Sequence, residues 1–209
     1  MASASPRRQA LMGLLNLVWR SAPADIDEAR YNLPDPFVGA LNVAAAKARA
    51  VRLSGAEVII AADTLVVADG EVLGKPADAD HARTVLRRLR GRAHDVLTGV
   101  ALRTGQGRYW GGVVSTRVRM RAYVDRDIED YVRRGEPFDK AGGYAIQDTE
   151  FRPVESVEGC YLNVVGLPLC AVASGLKALG LDITPLPDTI ATCRYCGVGA
   201  ELVSVGSRR

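Results

Sequence analysis

The chain is 209 residues long, enough for one good-sized domain or for two lobes around a single core with a real cleft between them. Its 48% hydrophobic and 24% charged residues are ordinary for a globular protein, and no apolar run is long enough to cross a bilayer. A formal charge of +3 is too weak to mark a nucleic-acid binder by itself, but it is compatible with a small anionic ligand.

Residues 3–8 read Ser-Ala-Ser-Pro-Arg-Arg, directly ahead of an apolar helical pattern. Ser5 is a good N-cap, and Pro6 fits the first helical position, where its missing N–H costs nothing. Arg7 and Arg8 then add charge to a helix end that is already positive, an arrangement suited to meeting a phosphate. On this segment alone, a capped helix with two solvated arginines is an equal reading. The stretch also mimics a signal peptide, with paired arginines, an apolar middle over 10–19 and small residues over 21–24. Asn16 interrupts the apolar part, however, and Leu11, Leu14, Leu15 and Val18 recur at helical spacing, as on a core-facing amphipathic helix.

Asp35-Pro36 opens a second helix with Phe37, Leu41, Val43 and the alanines 44–46 on its apolar side and Lys47 near its end. Residues 57–62 read as a buried strand that breaks at Asp63-Thr64 to expose two polar side chains and resumes at 65–67. Asp69-Gly70 is a hairpin signal, returning through 71–73 to Gly74-Lys75-Pro76. Ala82, Val85, Leu86 and Leu89 mark one face of a helix ended by Gly91. Strands are predicted at 95–102 and 109–122, the second with Arg117, Arg119 and Arg121 on one face. A helix over 125–134 stops at Gly135, a glycine-bearing stretch fills 135–150, a strand is expected near 161–165, and Pro168 opens the last helix. From Leu181 onward the chain reads as an appendage, which divides it into a domain at 1–180 and a C-terminal extension at 181–209. Helices alternating with strands, some of them adjacent hairpin strands, predict an α/β fold on a mixed sheet.

Cysteines 160, 170, 193 and 196 do not make a disulfide framework in a chain this long, which fits a reducing cytoplasm. Cys193 and Cys196 form a lone C-x-x-C, half of a zinc site, and His81 and His94 stand far away in sequence, so no structural zinc is expected.

Polar residues gather at the breaks between elements. Asp63, after a buried strand, could bind a divalent metal or take a proton from water; a turn-forming Asp is the plainer alternative. Lys47, Lys75 and Lys140 would each be bland cations if seen alone. The adjacent glycines of 139–147 let a backbone approach a ligand closely, and Gln147 offers both a donor and an acceptor. The set suits a triphosphate with its metal and leaves the leaving group open.

The pieces Ser-Ala-Ser-Pro-Arg-Arg (3–8), Ala-Asp-Thr (62–64), Gly-Lys-Pro (74–76), Thr-Gly-Val (98–100), Asp-Lys-Ala-Gly (139–142), Ile-Gln (146–147) and Val-Val-Gly-Leu-Pro-Leu (164–169) occur in the order of the Maf family. Over roughly residues 1–180 the chain resembles a Maf-type nucleoside triphosphate pyrophosphatase. The resemblance implies a long twisted sheet and two lobes around a nucleotide cleft, similar to inosine triphosphate pyrophosphatases. It further implies hydrolysis between the α- and β-phosphates with Mg²⁺ (or Mn²⁺), and a homodimer in the cytoplasm. Carried residue by residue, it makes Asp63 the proton acceptor, gives Ser5, Arg7, Lys47, Lys75 and Lys140 to the phosphates, and gives the metal to Glu28 with Asp63. Arg8, Thr64 and Gln147 match the dTTP/UTP branch rather than the 7-methyl-GTP branch.

The chain departs from the family pattern in four places. Only Met1-Ala2 stand where an apolar strand usually precedes the first motif, Ala61 replaces a glycine, and Val18-Trp19 replace a Leu-Gly pair. The tail with Cys193 and Cys196 has no recognised counterpart. Rival readings are a non-catalytic nucleotide-binding regulator of septum formation, which would not need Asp63, and a nucleic-acid binder using the arginines at 117–121. Weak charge and 6% aromatics speak against the second, so no nucleic-acid or membrane partner is expected.

Overall fold

The computed structural model describes residues 1–31, 33–53, 57–181 and 183; the C-x-x-C at Cys193 and Cys196 and nearly all of the extension lie outside them. Its centre is a five-stranded sheet in the order β2-β1-β3-β4-β5, with β1 at Val58–Ala68, β2 at Glu71–Leu73, β3 at Ala93–Thr104, β4 at Tyr109–Met120 and β5 at Val154–Glu158. Every described pairing is antiparallel, which corrects the expected mixture of strand directions. The hairpin signal at Asp69-Gly70 joins β1 to β2 as predicted. Helix α3 (Ala79–Leu89) carries the chain from β2 to β3, which lies beyond β1. Two strands of like direction are thus connected, but β1 runs between them the other way, so no parallel pair forms.

Alternate residues of β1 face opposite sides. Ile59 and Ala61 pack with Ala44, Ala45 and Ala48 of α2 (Pro36–Ala50), which begins at Asp35-Pro36 as read. That seat is very close. A Cβ on Gly99 of β3 would lie 2.4 Å from the backbone of Ala40, so only glycine lets α2 settle there. On the other face, Ile60 and Ala62 join α1 (Pro6–Met12) and α6 (Leu169–Ala178) in one apolar cluster. Val66, Val96 and Val118 join α3 and α4 (Asp125–Arg133) in another.

Three local readings change. Helix α1 stops at Met12, and although Leu11 and Leu15 are buried, Leu14 and Val18 are exposed, so no amphipathic helix runs through to Val18. Asp63 and Thr64 do not interrupt a strand but lie inside β1, paired with Gly99 and Thr98 of β3. Residues 161–165 form a short helix, α5 (Tyr161–Val165), ended by Gly166 at positive φ, and the strand expected there is β5 instead. A short, largely apolar run of five residues suits either state, and the exposed residues of the edge strand are polar, which hides it. Cys170 on α6 is disulfide-bonded, whereas Cys160 is a buried thiol.

The amino-terminal residues complete the edge of β1. Ala2 N–H donates to Ile60 O at 2.7 Å, and β2 takes over the pairing at Val66. Among the described residues, the pairing of this edge lapses between those two points, and the gap centres on Asp63 and Thr64.

Candidate active site

A cleft of about 850 Å³ opens at the gap, within the range of small-molecule sites. It is lined by Ser5, Arg7, Arg8, Glu28, Lys47, Asp63, Thr64, Lys75, Lys140 and Gln147, so all ten sequence-predicted residues converge on one place. The local reasons differ from one to the next. Ser5 caps α1, accepting weakly from Arg8 N–H at 3.5 Å, and Pro6 opens the helix. This points Arg7 and Arg8 into the cleft.

Lys47 is buried near the end of α2, and the close seat of that helix on Gly99 brings its ammonium to the sheet. It donates to Asp63 Oδ1 at 2.8 Å and meets Glu28 Oε1 at 2.9 Å. Asp63 is buried, whereas the Glu28 side chain is about half exposed and sits on a 3₁₀ turn, Glu28–Tyr31. Two carboxylates therefore converge on one cation. No cluster of three or more potential metal ligands occurs among the described residues.

Thr64 faces the opposite side of the sheet. Arg8 Nη2 donates to Thr64 Oγ1 at 3.0 Å and Arg8 Nε donates to Gly166 O at 2.8 Å, which hold the guanidinium flat against the cleft wall. Burial lowers the pKa of Arg8, and the Asp63 and Glu28 carboxylates oppose that; a guanidinium keeps its charge either way.

The segment 139–147 supplies Lys140 and Gln147. Gly142 and Gly143 both have positive φ, and a Cβ on either would come within 2.9 Å of Val66 or Pro76. The paired glycines thus let this loop lie on Val66 of β1 and on the Gly74-Lys75-Pro76 turn, where Gly142 N–H donates to Gly74 O at 3.0 Å; the expected close approach is to protein. Arg7 reaches across to Asp139 Oδ2 at 2.8 Å, and Lys140 bonds Asp139 Oδ1 at 2.6 Å and Glu136 Oε2 at 3.1 Å. Although partial burial opposes it, these bonds from Lys140 and Arg7 hold the Asp139 carboxyl below its ordinary pKa. Lys75 and Gln147 are exposed in the cleft. Asp139 and Glu136 were given no role in the sequence reading, and only the position of Asp139 inside a conspicuous stretch could have flagged it.

The loop is anchored from below. Tyr144 is buried, and its hydroxyl lies 2.7 Å from His94 Nε2 on β3. Burial, with the like charge of Arg117 adding to it, pushes the His94 pKa down to about 4. The native state therefore keeps this imidazole neutral where the unfolded chain, near 6.5, binds a proton. Stability is fully present above about pH 6.5 and declines as pH falls towards 4, at roughly 1.4 kcal/mol per unit from this group. Urea midpoints at pH 7 and pH 5 should show that loss, and His94→Gln should flatten it; equal slopes in the two proteins would clear His94 of the effect.

The basic residues of β4 and just beyond it are engaged within the protein. Arg117 pairs with Asp95 at 2.8 Å, and Arg121, past the end of the strand, donates from Nη2 to Phe151 O at 2.7 Å. No helix among the described residues is long and apolar enough to cross a membrane.

Comparison with known proteins agrees with this arrangement. The family model described as Maf-like protein matches residues 1–179. A protein of Thermomicrobium roseum named dTTP/UTP pyrophosphatase is 46% identical, over 100% of this chain and 98% of its own length, so the alignment takes in the tail that had no recognised counterpart. Proteins with the same name from Anaeromyxobacter dehalogenans and Syntrophomonas wolfei are 47% and 43% identical, over 90% and 88% of this chain and 95% and 98% of theirs. With the motifs in order, their residues around one cleft and the family model spanning the described fold, the chain belongs to the Maf family.

Proposed function

We propose that the protein hydrolyses dTTP and UTP to the nucleoside monophosphate and pyrophosphate. The observation that carries this reading is the buried Asp63 carboxylate, held 2.8 Å from Lys47 in a cleft that also gathers Arg7, Lys75 and Lys140. The names of the relatives support the same substrates. They also favour a catalyst over a non-catalytic nucleotide-binding regulator of septum formation, which has no use for a rigidly held acid.

Asp63 takes the proton of a water whose oxygen forms the new bond to phosphorus, as the α–β bridging P–O bond breaks. Ser5, Arg7, Lys47, Lys75 and Lys140 hold the phosphate oxygens, placing positive charge where the leaving pyrophosphate gathers negative charge. Glu28 and Asp63 fit a divalent ion, Mg²⁺ or Mn²⁺, because such ions use one or two carboxylates and complete their shell with phosphates and water. When bound, that ion neutralises phosphate charge. Lys47, which both carboxylates share, would with that ion in place be available to a phosphate oxygen. Arg8, Thr64 and Gln147 read the base.

The finer architecture belongs to the same reading. Residues 1–180 form two lobes around the nucleotide, as in inosine triphosphate pyrophosphatases, 181–209 are an extension, and two chains make a dimer. Nucleoside triphosphates are intracellular, which supports a cytoplasmic location with neither nucleic acid nor membrane as partner. Incubation of the protein with UTP and Mg²⁺ should release pyrophosphate as the initial product, and excess chelator should abolish it. Orthophosphate as the first product, or full activity in chelator, overturns the proposal.

A further inference from the structure

From Thr64 a chain of hydroxyls runs behind the wall of the cleft to residues that no site role accounts for. Thr64 Oγ1, which accepts from Arg8 Nη2 at 3.0 Å, lies 3.0 Å from Thr98 Oγ1, and Thr98 Oγ1 lies 3.4 Å from the carbonyl oxygen of Asn163. Thr98 is completely buried beside Thr64 on β3 and does not line the cleft. Asn163, on α5, is also completely buried and is fixed by bonds from its amide to Val96 O and Thr116 Oγ1, each 2.9 Å.

A guanidinium cannot accept, so Arg8 must donate to Thr64, and the Thr64 proton must go elsewhere. Its other carbonyl neighbour, Gly166 O, is 3.5 Å away and already takes Arg8 Nε at 2.8 Å. A hydroxyl that accepts from a cation is polarised into a better donor, which favours the shorter bond to Thr98. Thr98 in turn donates to Asn163 O. Every hydroxyl then donates once and accepts once, in a single direction away from the cleft.

We propose that Thr98 is a positioning residue for base choice: it draws the Thr64 proton inward and leaves a Thr64 lone pair facing the ligand. An acceptor in that place welcomes the N3–H of uracil or thymine and repels the bare N3 of cytosine. This rests on the reading of the protein as a pyrimidine nucleoside triphosphate pyrophosphatase and adds to it a residue that never touches substrate.

The test compares kcat/KM for UTP and CTP in the unmodified protein, Thr98→Val and Thr98→Ser, with melting temperatures alongside. Valine keeps the volume and removes the acceptor, so the Thr64 hydroxyl turns and the UTP-over-CTP ratio falls roughly tenfold or more; serine retains the ratio. Should valine not fold, Thr98→Ala replaces it in the same comparison. A merely structural role would lower both substrates together and leave the ratio unchanged, which overturns the proposal while the unmodified protein still prefers UTP. An unmodified protein that releases no pyrophosphate from UTP overturns the underlying reading and the proposal with it.

Discussion

Asp63→Asn is expected to lower kcat by roughly 10²–10⁴-fold, the usual contribution of a positioned acid or base. The substitution keeps the shape of the side chain and removes only its basic oxygen. Because Asp63 is buried against Lys47, the variant also tests whether the ion pair is needed for folding. Removing one partner of a buried pair often costs several kcal/mol, since the other charge is stranded. Here Lys47 retains Glu28 at 2.9 Å, and the asparagine oxygen can still accept from it, so the loss of stability should be much smaller than that. The measurement is single-turnover pyrophosphate release with UTP and Mg²⁺, beside a thermal melt. Near-normal kcat would make Asp63 structural or a minor metal ligand; a lost fold would make the pair primarily a structural one.

UTP and dTTP should be good substrates that differ modestly, while CTP and ATP should be poorer by up to roughly 10⁴-fold in kcat/KM. A methyl group in an apolar pocket cannot discriminate that strongly, but polar groups left unpaired by the wrong base can. Gln147 offers the amide that can both donate and accept, and it stands exposed in the cleft with no hydrogen-bond partner among the described residues. Gln147→Ala should therefore reduce the preference while leaving stability nearly unchanged. Arg8 is a different case, because its bonds to Gly166 O and Thr64 tie α1 to the sheet, and its loss should lower stability as well. Values of kcat/KM for the four nucleotides in both proteins decide the matter. Equal use of all four by the unmodified protein, or an unchanged ratio in Gln147→Ala, would remove Gln147 from base recognition.

The elements that announce themselves locally were legible in the sequence. Asp35-Pro36 starts α2, Asp69-Gly70 turns β1 into β2, and Gly135 follows the helix at 125–133. What escaped depends on distant partners. The edge strand β5 carries only two apolar residues, and its pairing with β4 makes it a strand. The short α5 looks like a strand until Gly166 bends the chain. The same division holds for the site. Asp63 and Lys140 stand out by motif and Lys47 only through the family resemblance, but their companions do not. Glu136 and Asp139 face Lys140 and Arg7, and Thr98 lies beneath Thr64, relations that arise only on folding.

Asp63 and Thr64 are neighbours on β1, yet they look out on opposite sides of the sheet and lean on different helices: α2 stands behind the first, α1 and α5 behind the second. With Thr64 reading the base and Asp63 taking the proton, as proposed, mutations at 64 or beneath it can accumulate without disturbing the carboxylate next door. Such a strand gives a lineage room to change its nucleotide while inheriting its chemistry intact, and it confines that drift to one surface. Grafting experiments that exchange the α5 side and the surroundings of Thr64 between relatives, with Ser5 and Arg7 kept, should accordingly transfer substrate choice and leave the maximal rate of each recipient as it was.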